Sequence, residues 1–221
     1  MNGTTASVLI VDDHPIVREG LTELINREHG LSVCGVAESA RQALQCAVQL
    51  NPDIFVIDLS LEDLNGLSLI KDLRARSVTT PILVLSMHDE TLYAERALRA
   101  GAQGYIMKRE APTKVIEAIR QVLRGDVYLS PEMSSRLMQR LVGSRSPAEV
   151  PSIARLSDRE LEVYTLVGQG LKTREVAAKL NLSVKTVETY REHIKEKLGL
   201  KNATELVQSA IKWVHTERTG P

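Results

Sequence analysis

The chain has 221 residues, enough for one large or two small domains, and its 28 basic and 28 acidic side chains cancel to a formal net charge of zero. With 43% hydrophobic and 25% charged residues, the composition excludes a disordered or fibrous chain. Only 3% of the residues are aromatic, too few for a groove that reads single-stranded nucleic acid by base stacking.

The first 124 residues alternate short apolar runs, most of them rich in Val and Ile, with amphipathic stretches. The runs predict five strands: Ser7–Val11, Leu31–Val36, Asp53–Ile57, Pro81–Leu85 and Gly104–Met107. The amphipathic stretches predict five helices: Ile16–Glu28, Ala40–Leu50, Leu67–Ala75, Thr91–Ala100 and Thr113–Leu123. This alternation implies an α/β fold with a doubly wound, five-stranded parallel sheet, for which the common strand order is 2-1-3-4-5.

After this unit, Ser130 and Pro131 predict the start of another helix that ends near Val142. Residues 143–152 contain one Gly, two Pro and three Ser, a composition typical of a linker.

From Leu156 onward the sequence shows only helical signals, which predicts an all-α domain of four helices. Ser157 followed by Glu160 is a capping box at the start of the first helix. The other helices are predicted at Thr173–Leu180, from the cap Ser183 to Leu198, and at Ala203–Val214. Because a three-residue turn separates the second and third helices, the pattern indicates a helix-turn-helix. The predicted domains are therefore residues 1–124, a helix and linker at 125–155, and residues 156–221.

Polar side chains follow four of the predicted strands. Asp12 and Asp13 come after the first strand, Asp58 after the third, Ser86 after the fourth and Lys108 after the fifth. In the order 2-1-3-4-5 these strand ends are neighbours, so the side chains meet in one crevice. Clustered carboxylates repel one another unless a cation joins them, and such oxygen ligands suit Mg²⁺. A carboxylate can also be the nucleophile that takes up a phosphoryl group.

Each of these residues alone has an ordinary structural explanation; Asp13, for example, could cap the helix that begins near Pro15. The coincidence of all five at strand ends is what favours a site. Histidines in this region show no ligand spacing and are predicted to be surface residues: His14, His29 and His88. Cys34 and Cys46 are predicted to be buried thiols.

Residues 7–124 resemble the receiver domain of two-component response regulators, a flavodoxin-like fold. The motifs that carry the resemblance are Val-Asp-Asp-His-Pro at 11–15, Ile-Asp-Leu at 57–59, Gly66, Leu-Ser at 85–86, Ala-Gly-Ala-Gln-Gly-Tyr at 100–105, and Lys108. The resemblance implies that a sensor histidine kinase phosphorylates Asp58. It also implies Mg²⁺ ligands, which are Asp13, Asp58, the Ser60 carbonyl and, through water, Asp12. The phosphate-binding and switch residues that it implies are Ser86, Tyr105 and Lys108.

One departure from the family pattern keeps an alternative open. Leu61 and Glu62 stand where the family usually has Met-Pro. The alternative is a phosphorylation-independent transcription factor with a degenerate receiver. A phosphatase or mutase that works through an aspartyl phosphate is disfavoured, because its family's Asp-x-Asp motif is missing: Leu59 and Ser60 follow Asp58. We therefore expect no enzyme activity beyond self-phosphorylation and autodephosphorylation at Asp58.

The segment from Lys172 to Lys201 carries eight basic and four acidic side chains, a net charge of +4. In its longer helix, Val187, Ile194 and Leu198 share the face that is predicted to meet the core. The outward residues mix phosphate-binding and base-reading types. An ordinary exposed helix with solvated charges would give the same periodicity.

Two stretches resemble the LuxR/NarL-type DNA-binding domain: Leu-Ser-Asp-Arg-Glu-Leu-Glu-Val at 156–163 and Ser-Val-Lys-Thr-Val-Glu-Thr-Tyr-Arg at 183–191. The resemblance implies that the helix from Ser183 to Leu198 enters the major groove of double-stranded operator DNA. The DNA-binding residues that we assign on this basis are Lys172, Thr173, Ser183, Lys185, Thr186, Glu188, Thr189, Tyr190, Arg191, Glu192 and Lys195.

Together the two resemblances predict a cytoplasmic transcriptional response regulator of the NarL/FixJ type. It would bind DNA as a homodimer when phosphorylated and would not associate with membranes, since no apolar run approaches bilayer length. Residues 1–140 hold 15 basic and 18 acidic side chains, whereas residues 141–221 hold 13 and 10. The zero net charge is therefore a cancellation between −3 and +3, and it does not argue against DNA binding.

Overall fold

The structure is a computed structural model that describes residues 5–61, 64–141 and 152–218. It divides into two compact units, which meet in sequence between Val142 and Gly143. The predicted linker at 143–152 lies outside the described residues, apart from Ser152.

The first unit contains a five-stranded parallel sheet. Its strands are β1 (Ala6–Val11), β2 (Leu31–Ala37), β3 (Ile54–Ile57), β4 (Ile82–Ser86) and β5 (Gly104–Met107). Their order in the sheet is β2-β1-β3-β4-β5, and every neighbouring pair is parallel. The predicted fold class and strand order are confirmed.

Helices alternate with these strands and continue beyond them. They are α1 (Pro15–Asn26), α2 (Ala40–Leu50), α3 (Gly66–Ala75), α4 (Glu90–Ala100), α5 (Ala111–Leu123) and α6 (Pro131–Leu141), with a short 3-10 helix at Lys108–Glu110. The side chains of Ser39, Asn65 and Asp89 cap α2, α3 and α4 by accepting a backbone N–H of the first turn. The N-cap of α1 is His14, without a side-chain cap bond, so the alternative that Asp13 caps this helix is wrong.

Apolar side chains cover both faces of the sheet, which explains why the strands are continuous apolar runs. On one face Val8 and Ile10 pack with Ile25 of α1 and Ile119 of α5, all fully buried. On the other face Leu9 lies toward α2. Burial of one such side chain contributes about 1.5–3 kcal/mol, so the sheet holds its flanking helices firmly.

The chain beyond α5 extends the edge of the sheet at β5. The Tyr105 N–H donates to the Tyr128 carbonyl at 2.9 Å. Ser130 caps α6, as predicted, and its hydroxyl also donates to the Glu90 carboxylate at the start of α4. Met133 of α6 is buried. The first unit therefore includes α6 as well as the sheet and its five flanking helices.

The burial of the two cysteines differs from the prediction. Cys34 on β2 and Cys46 on α2 are free thiols, and both are half-buried, so the prediction of buried thiols is wrong. The Cys34 Sγ donates to the Val8 carbonyl at 3.4 Å.

The second unit is helical. A 3-10 helix at Ser152–Arg155, which was not predicted, precedes α7 (Asp158–Gly168), α8 (Thr173–Lys179), α9 (Val184–Leu198) and α10 (Ala203–Arg218). Ser157 and Ser183 cap α7 and α9 as predicted, and Gly199 ends α9 in the left-handed conformation with φ of 68°. None of the helices in the described ranges is long and apolar enough to cross a membrane.

We predict that Gly168→Ala destabilises the second unit by about 1–3 kcal/mol, the usual cost of overpacking. A Cβ at Gly168 would lie 2.7 Å from the Ala210 carbonyl carbon and 2.6 Å from Val214 Cγ2, because α7 and α10 approach closely there. Trp213 on α10 is the chain's one tryptophan, so its fluorescence during urea unfolding reports on this unit.

Gly20→Ala is the matched control, since a Cβ at this position on α1 would meet no atom within 4 Å. It should leave the Trp213 unfolding midpoint unchanged. A Gly168→Ala midpoint equal to that of the parent would contradict the close approach of α7 and α10.

Candidate functional site

Three carboxylates gather where β1 and β3 end. Asp12 and Asp58 are each 2% exposed, and Asp13 is half-buried. One oxygen from each, together with a ring nitrogen of His14, lie within 4.8 Å of one another. Asp58 Oδ1 is buried and has no hydrogen-bond partner among the described residues. The parallel sheet therefore places at one edge the carboxylates that the sequence predicted to meet there.

Lys108 reaches these carboxylates from the end of β5. Its Nζ lies 2.7 Å from Asp58 Oδ2 and 2.6 Å from Asp12 Oδ2. Burial raises the pKa of Asp58 above its usual value, and Lys108 opposes this rise. Burial alone would lower the pKa of Lys108, but its pairing with Asp58 and Asp12 raises that pKa. Lys108 is therefore protonated and positively charged at neutral pH.

The cluster has the composition of a divalent-cation site. Three carboxylates and one ammonium leave a net charge of −2, and the unpartnered Asp58 Oδ1 is a buried acceptor. Mg²⁺ binds oxygen ligands at about 2.0–2.1 Å, so ligands on opposite sides of one ion are about 4.2 Å apart. The ligand atoms of the cluster all lie within 4.8 Å of one another, close to that span, and its oxygens are the donors that Mg²⁺ prefers.

The next two strands carry the predicted switch residues: Ser86 ends β4, Tyr105 lies inside β5, and both side chains are fully buried. Ser86 Oγ accepts the His88 N–H at 3.2 Å, and the Tyr105 hydroxyl donates to the His88 carbonyl at 2.7 Å. The backbone of His88 thus contacts both residues.

The rings of His14 and His88 lie closer to the site than the sequence analysis expected. His88 is half-buried; its Nε2 is 3.1 Å from Ser60 Oγ, and its ring stacks on Tyr93 with centroids 4.4 Å apart. His14 is exposed, but its Nδ1 lies 2.6 Å from Asp13 Oδ1. Both histidines follow a strand end by two or three residues. That position in the sequence could have indicated that their rings lie near the site.

The loop after Asp58 depends on a glycine. The Gly66 N–H donates to the Leu59 carbonyl at 2.9 Å, and a Cβ at this position would lie 2.7 Å from Leu59 Cα. Leu61, one of the two residues that depart from the family pattern, is buried. Glu62, the other, lies outside the described residues.

In the second unit, α8 and α9 carry every residue assigned to DNA, apart from caps directly before them, and none of these residues is fully buried. The exposed ones are Lys172, Ser183, Lys185, Glu188, Thr189 and Glu192; the half-buried ones are Thr173, Thr186, Tyr190, Arg191 and Lys195. On the inward face Val187 and Ile194 are fully buried, as predicted, whereas Leu198 is half-buried.

Some of these side chains have partners within α9. Lys195 Nζ lies 2.8 Å from Glu192 Oε2, and the Thr189 hydroxyl donates to the Lys185 carbonyl at 3.0 Å. Part of the positive charge of α9 is therefore compensated locally, whereas Lys185 is exposed at the N-terminal end of the helix.

An ion pair that the sequence analysis missed joins α9 to α7, and in this pair the carboxylate is buried whereas the ammonium is exposed. Glu160 is 3% exposed, and Lys197 Nζ lies 2.8 and 2.6 Å from its two oxygens. Burial would raise the pKa of Glu160, but hydrogen bonds from Lys197 and the Ser157 N–H lower it below the usual value. Lys197, which we counted in the positive segment, therefore balances a charge inside this unit.

Two family models match the chain. The response regulator receiver domain covers residues 8–120, and the luxR family of bacterial regulatory proteins covers residues 154–210.

Individual proteins match over nearly the whole length. The oxygen regulatory protein NreC of Staphylococcus carnosus is 37% identical over 93% of this chain and 96% of its own. The nitrate/nitrite response regulator protein NarL of Escherichia coli is 32% identical over 98% of each chain. Among solved structures, RcsB from Salmonella enterica serovar Typhimurium, bound to promoter rprA in the presence of phosphomimetic BeF3−, is 27% identical with a TM-score of 0.70. The match covers 93% of this chain and 98% of that one.

The pKa of Glu160 predicts an acid-sensitive second unit. Because this pKa lies below the ordinary value of 4.5, the ionised carboxylate stabilises the fold above pH 4.5, and this stabilisation is lost as the pH falls through the lowered pKa. Glu160→Gln should flatten the pH dependence of the Trp213 urea midpoint below about pH 5. Lys197→Met should cost about 1 kcal/mol at pH 7, because solvent screens the exposed Lys197 ammonium.

Glu196→Gln is the control, because Glu196 is exposed and adjacent to Lys197. It should keep the pH dependence of the parent. If Glu160→Gln keeps it as well, the ion pair does not stabilise the folded unit.

Proposed function

Because this chain belongs to the two-component response regulators that join a receiver domain to a LuxR-type DNA-binding domain, we propose that phosphorylation of Asp58 controls its binding to operator DNA. Such a protein is a transcription regulator and not an enzyme in the usual sense. We place the receiver at 1–124, a helix and linker at 125–155, and the DNA-binding domain at 156–221. The division of the fold between Val142 and Gly143 falls inside that linker.

One observation carries the proposal for Asp58: its two oxygens differ in their surroundings. Oδ2 is held by Lys108 at 2.7 Å, whereas the buried Oδ1 has no hydrogen-bond partner among the described residues. Oδ1 is therefore the oxygen that can form a new bond. In the transfer, this oxygen bonds to phosphorus as the phosphorus–nitrogen bond of the kinase's phosphohistidine breaks, and the electron pair of that bond stays on the imidazole.

The residues around Asp58 would have separate roles in binding the metal and in stabilising the phosphoryl group. Asp13, Asp58 and the Ser60 carbonyl would hold Mg²⁺, and Asp12 would act through water. When bound, the ion neutralises charge on the transferred phosphoryl oxygens. Lys108 supplies the second positive charge, and the buried Ser86 hydroxyl supplies a hydrogen-bond donor. Hydrolysis of the acyl phosphate at Asp58 is the only other reaction that we propose.

Ser86 and Tyr105 would couple phosphorylation of Asp58 to a change at the surface of the first unit. A phosphoryl group adds close to two negative charges, which draw the Ser86 hydroxyl toward Asp58 and leave room for the Tyr105 ring. The fully buried ring and its hydrogen bond to the His88 carbonyl support this inward position as a stable one. The surface of α4 and α5 changes with the position of this ring.

In the second unit, we propose that α9 lies in the major groove of operator DNA and that Lys185, Thr186 and Arg191 contact phosphates or the groove. The exposed Glu188, Thr189 and Glu192 lie where base edges would be read. Three base-reading residues give limited sequence specificity. A homodimer that binds two half-sites doubles the number of base contacts. A protein that receives a phosphoryl group from a sensor kinase and binds operator DNA works in the cytoplasm, where we place it.

We expect the full chain to be labelled by a small acyl-phosphate donor in the presence of Mg²⁺, and Asp58→Ala to abolish the label. Asp72→Asn, a change at an exposed position on α3, should keep the label. Label that persists in Asp58→Ala would contradict the assignment. An unlabelled parent that binds duplex DNA equally well with and without beryllofluoride would instead support the phosphorylation-independent alternative.

We expect binding to a fluorescent duplex of mixed sequence to weaken steeply with salt, because each phosphate contact releases counterions. Lys185→Ala should reduce the slope of log affinity against log salt by about one. Lys212→Ala, at an exposed position on α10, should leave the slope unchanged. Equal slopes in the Lys185 variant and the parent would remove Lys185 from the interface.

A further inference from the structure

The acidic cluster contains a nitrogen donor. His14 Nδ1 lies 2.6 Å from Asp13 Oδ1 and 3.3 Å from Asp12 Oδ1, and it belongs to the set of ligand atoms that are all within 4.8 Å of one another. A fourth group at this distance is close enough to share one ion with the carboxylates, because first-row metal–nitrogen and metal–oxygen bonds are about 2.0–2.2 Å long.

The backbone holds His14 at this position. His14 is the N-cap of α1, directly before Pro15, and its N–H donates to Asp12 Oδ1 at 2.9 Å. The ring itself is exposed, so an ion can reach it from solvent without crossing the core. The imidazole thus stands at the open side of a cluster whose other members are partly or fully buried.

A second observation points to a ligand in the cluster independently of His14. Asp58 Oδ1 is an unpartnered acceptor on a side chain that is only 2% exposed. Lys108 balances one of the three carboxylate charges, so the site retains a charge of −2. A dication therefore matches both the unpartnered oxygen and the charge.

Ligand chemistry then distinguishes between dications. Mg²⁺ is a hard ion that prefers oxygen, whereas imidazole nitrogen binds first-row transition metals, with affinity rising from Mn²⁺ through Co²⁺. We propose that His14 is a metal ligand of this site and makes it select transition-metal dications such as Mn²⁺ and Co²⁺ over Mg²⁺. The inference rests on the proposed function, since it assumes that Asp13 and Asp58 hold a metal.

A spectroscopic experiment tests nitrogen ligation directly. Electron spin-echo modulation of Mn²⁺ bound to the full chain should show coupling to a directly bound nitrogen, and His14→Ala should abolish that coupling. His29→Ala is the matched control, because His29 is exposed just beyond α1 and stands apart from the cluster. It should keep the coupling. Absence of the coupling in the parent, or its persistence in His14→Ala, would overturn the proposal.

Calorimetric titrations with Co²⁺ and Mg²⁺ test the selectivity. His14→Ala should weaken Co²⁺ about ten-fold or more and change Mg²⁺ affinity by less than about two-fold. An unchanged ratio of the two affinities would overturn the inference. Asp58→Asn should weaken both ions. If Asp58→Asn weakens the binding of neither ion, the metal site of the proposed function is wrong. If only the His14→Ala results differ from those expected, the proposed function still stands.

Discussion

The first unit is organised around two carboxylates that a parallel sheet forces together. Asp12 and Asp58 end the adjacent strands β1 and β3, both are buried, and their like charges would oppose folding without compensation. Lys108 bonds to one oxygen of each and so offsets part of that cost. The compensation is incomplete, because Asp58 Oδ1 remains without a hydrogen-bond partner among the described residues. The cluster thus keeps a net negative charge and a buried acceptor without a partner, which support the cation site and the phosphorylation that we propose. This follows from the geometry of the sheet, since parallel strands bring their carboxyl ends to one edge.

The same edge connects the cluster to the rest of the first unit. Tyr105 is bonded through its hydroxyl to the His88 carbonyl and through its N–H to the Tyr128 carbonyl. A change in the ring position therefore acts on the loop after β4, whereas the backbone of the same residue joins β5 to the segment that leads into α6. Ser130 adds a further link, because its hydroxyl joins that segment to Glu90 at the start of α4. The path from Tyr105 to α6 thus consists of the chain between Tyr128 and Ser130 and of hydrogen bonds at its two ends.

The second unit separates its structural charges from its exposed ones. The buried Glu160 pairs with the exposed Lys197, which joins α7 to α9, and the two charges offset each other. Lys185 is exposed at the other end of α9 and is available to an anionic partner. The zero net charge of the whole chain conceals this arrangement, since residues 1–140 carry −3 and residues 141–221 carry +3. Net charge alone is therefore a poor guide to nucleic-acid binding in a chain of two units.

The sequence by itself determined the elements, the strand order and the residues at the strand ends. Helix caps such as Ser157 and Ser183 act on N–H groups within three residues, and apolar periodicity is equally local, so both can be read along the chain. Only the tertiary structure decided which atoms meet. The pairing of Lys197 with Glu160 spans 37 residues, and Cys34 is half-buried where its sequence predicted full burial. The approach of His14 to Asp13 follows from the turn into α1. These contacts depend on side-chain conformations and on packing between distant elements, which no local pattern encodes.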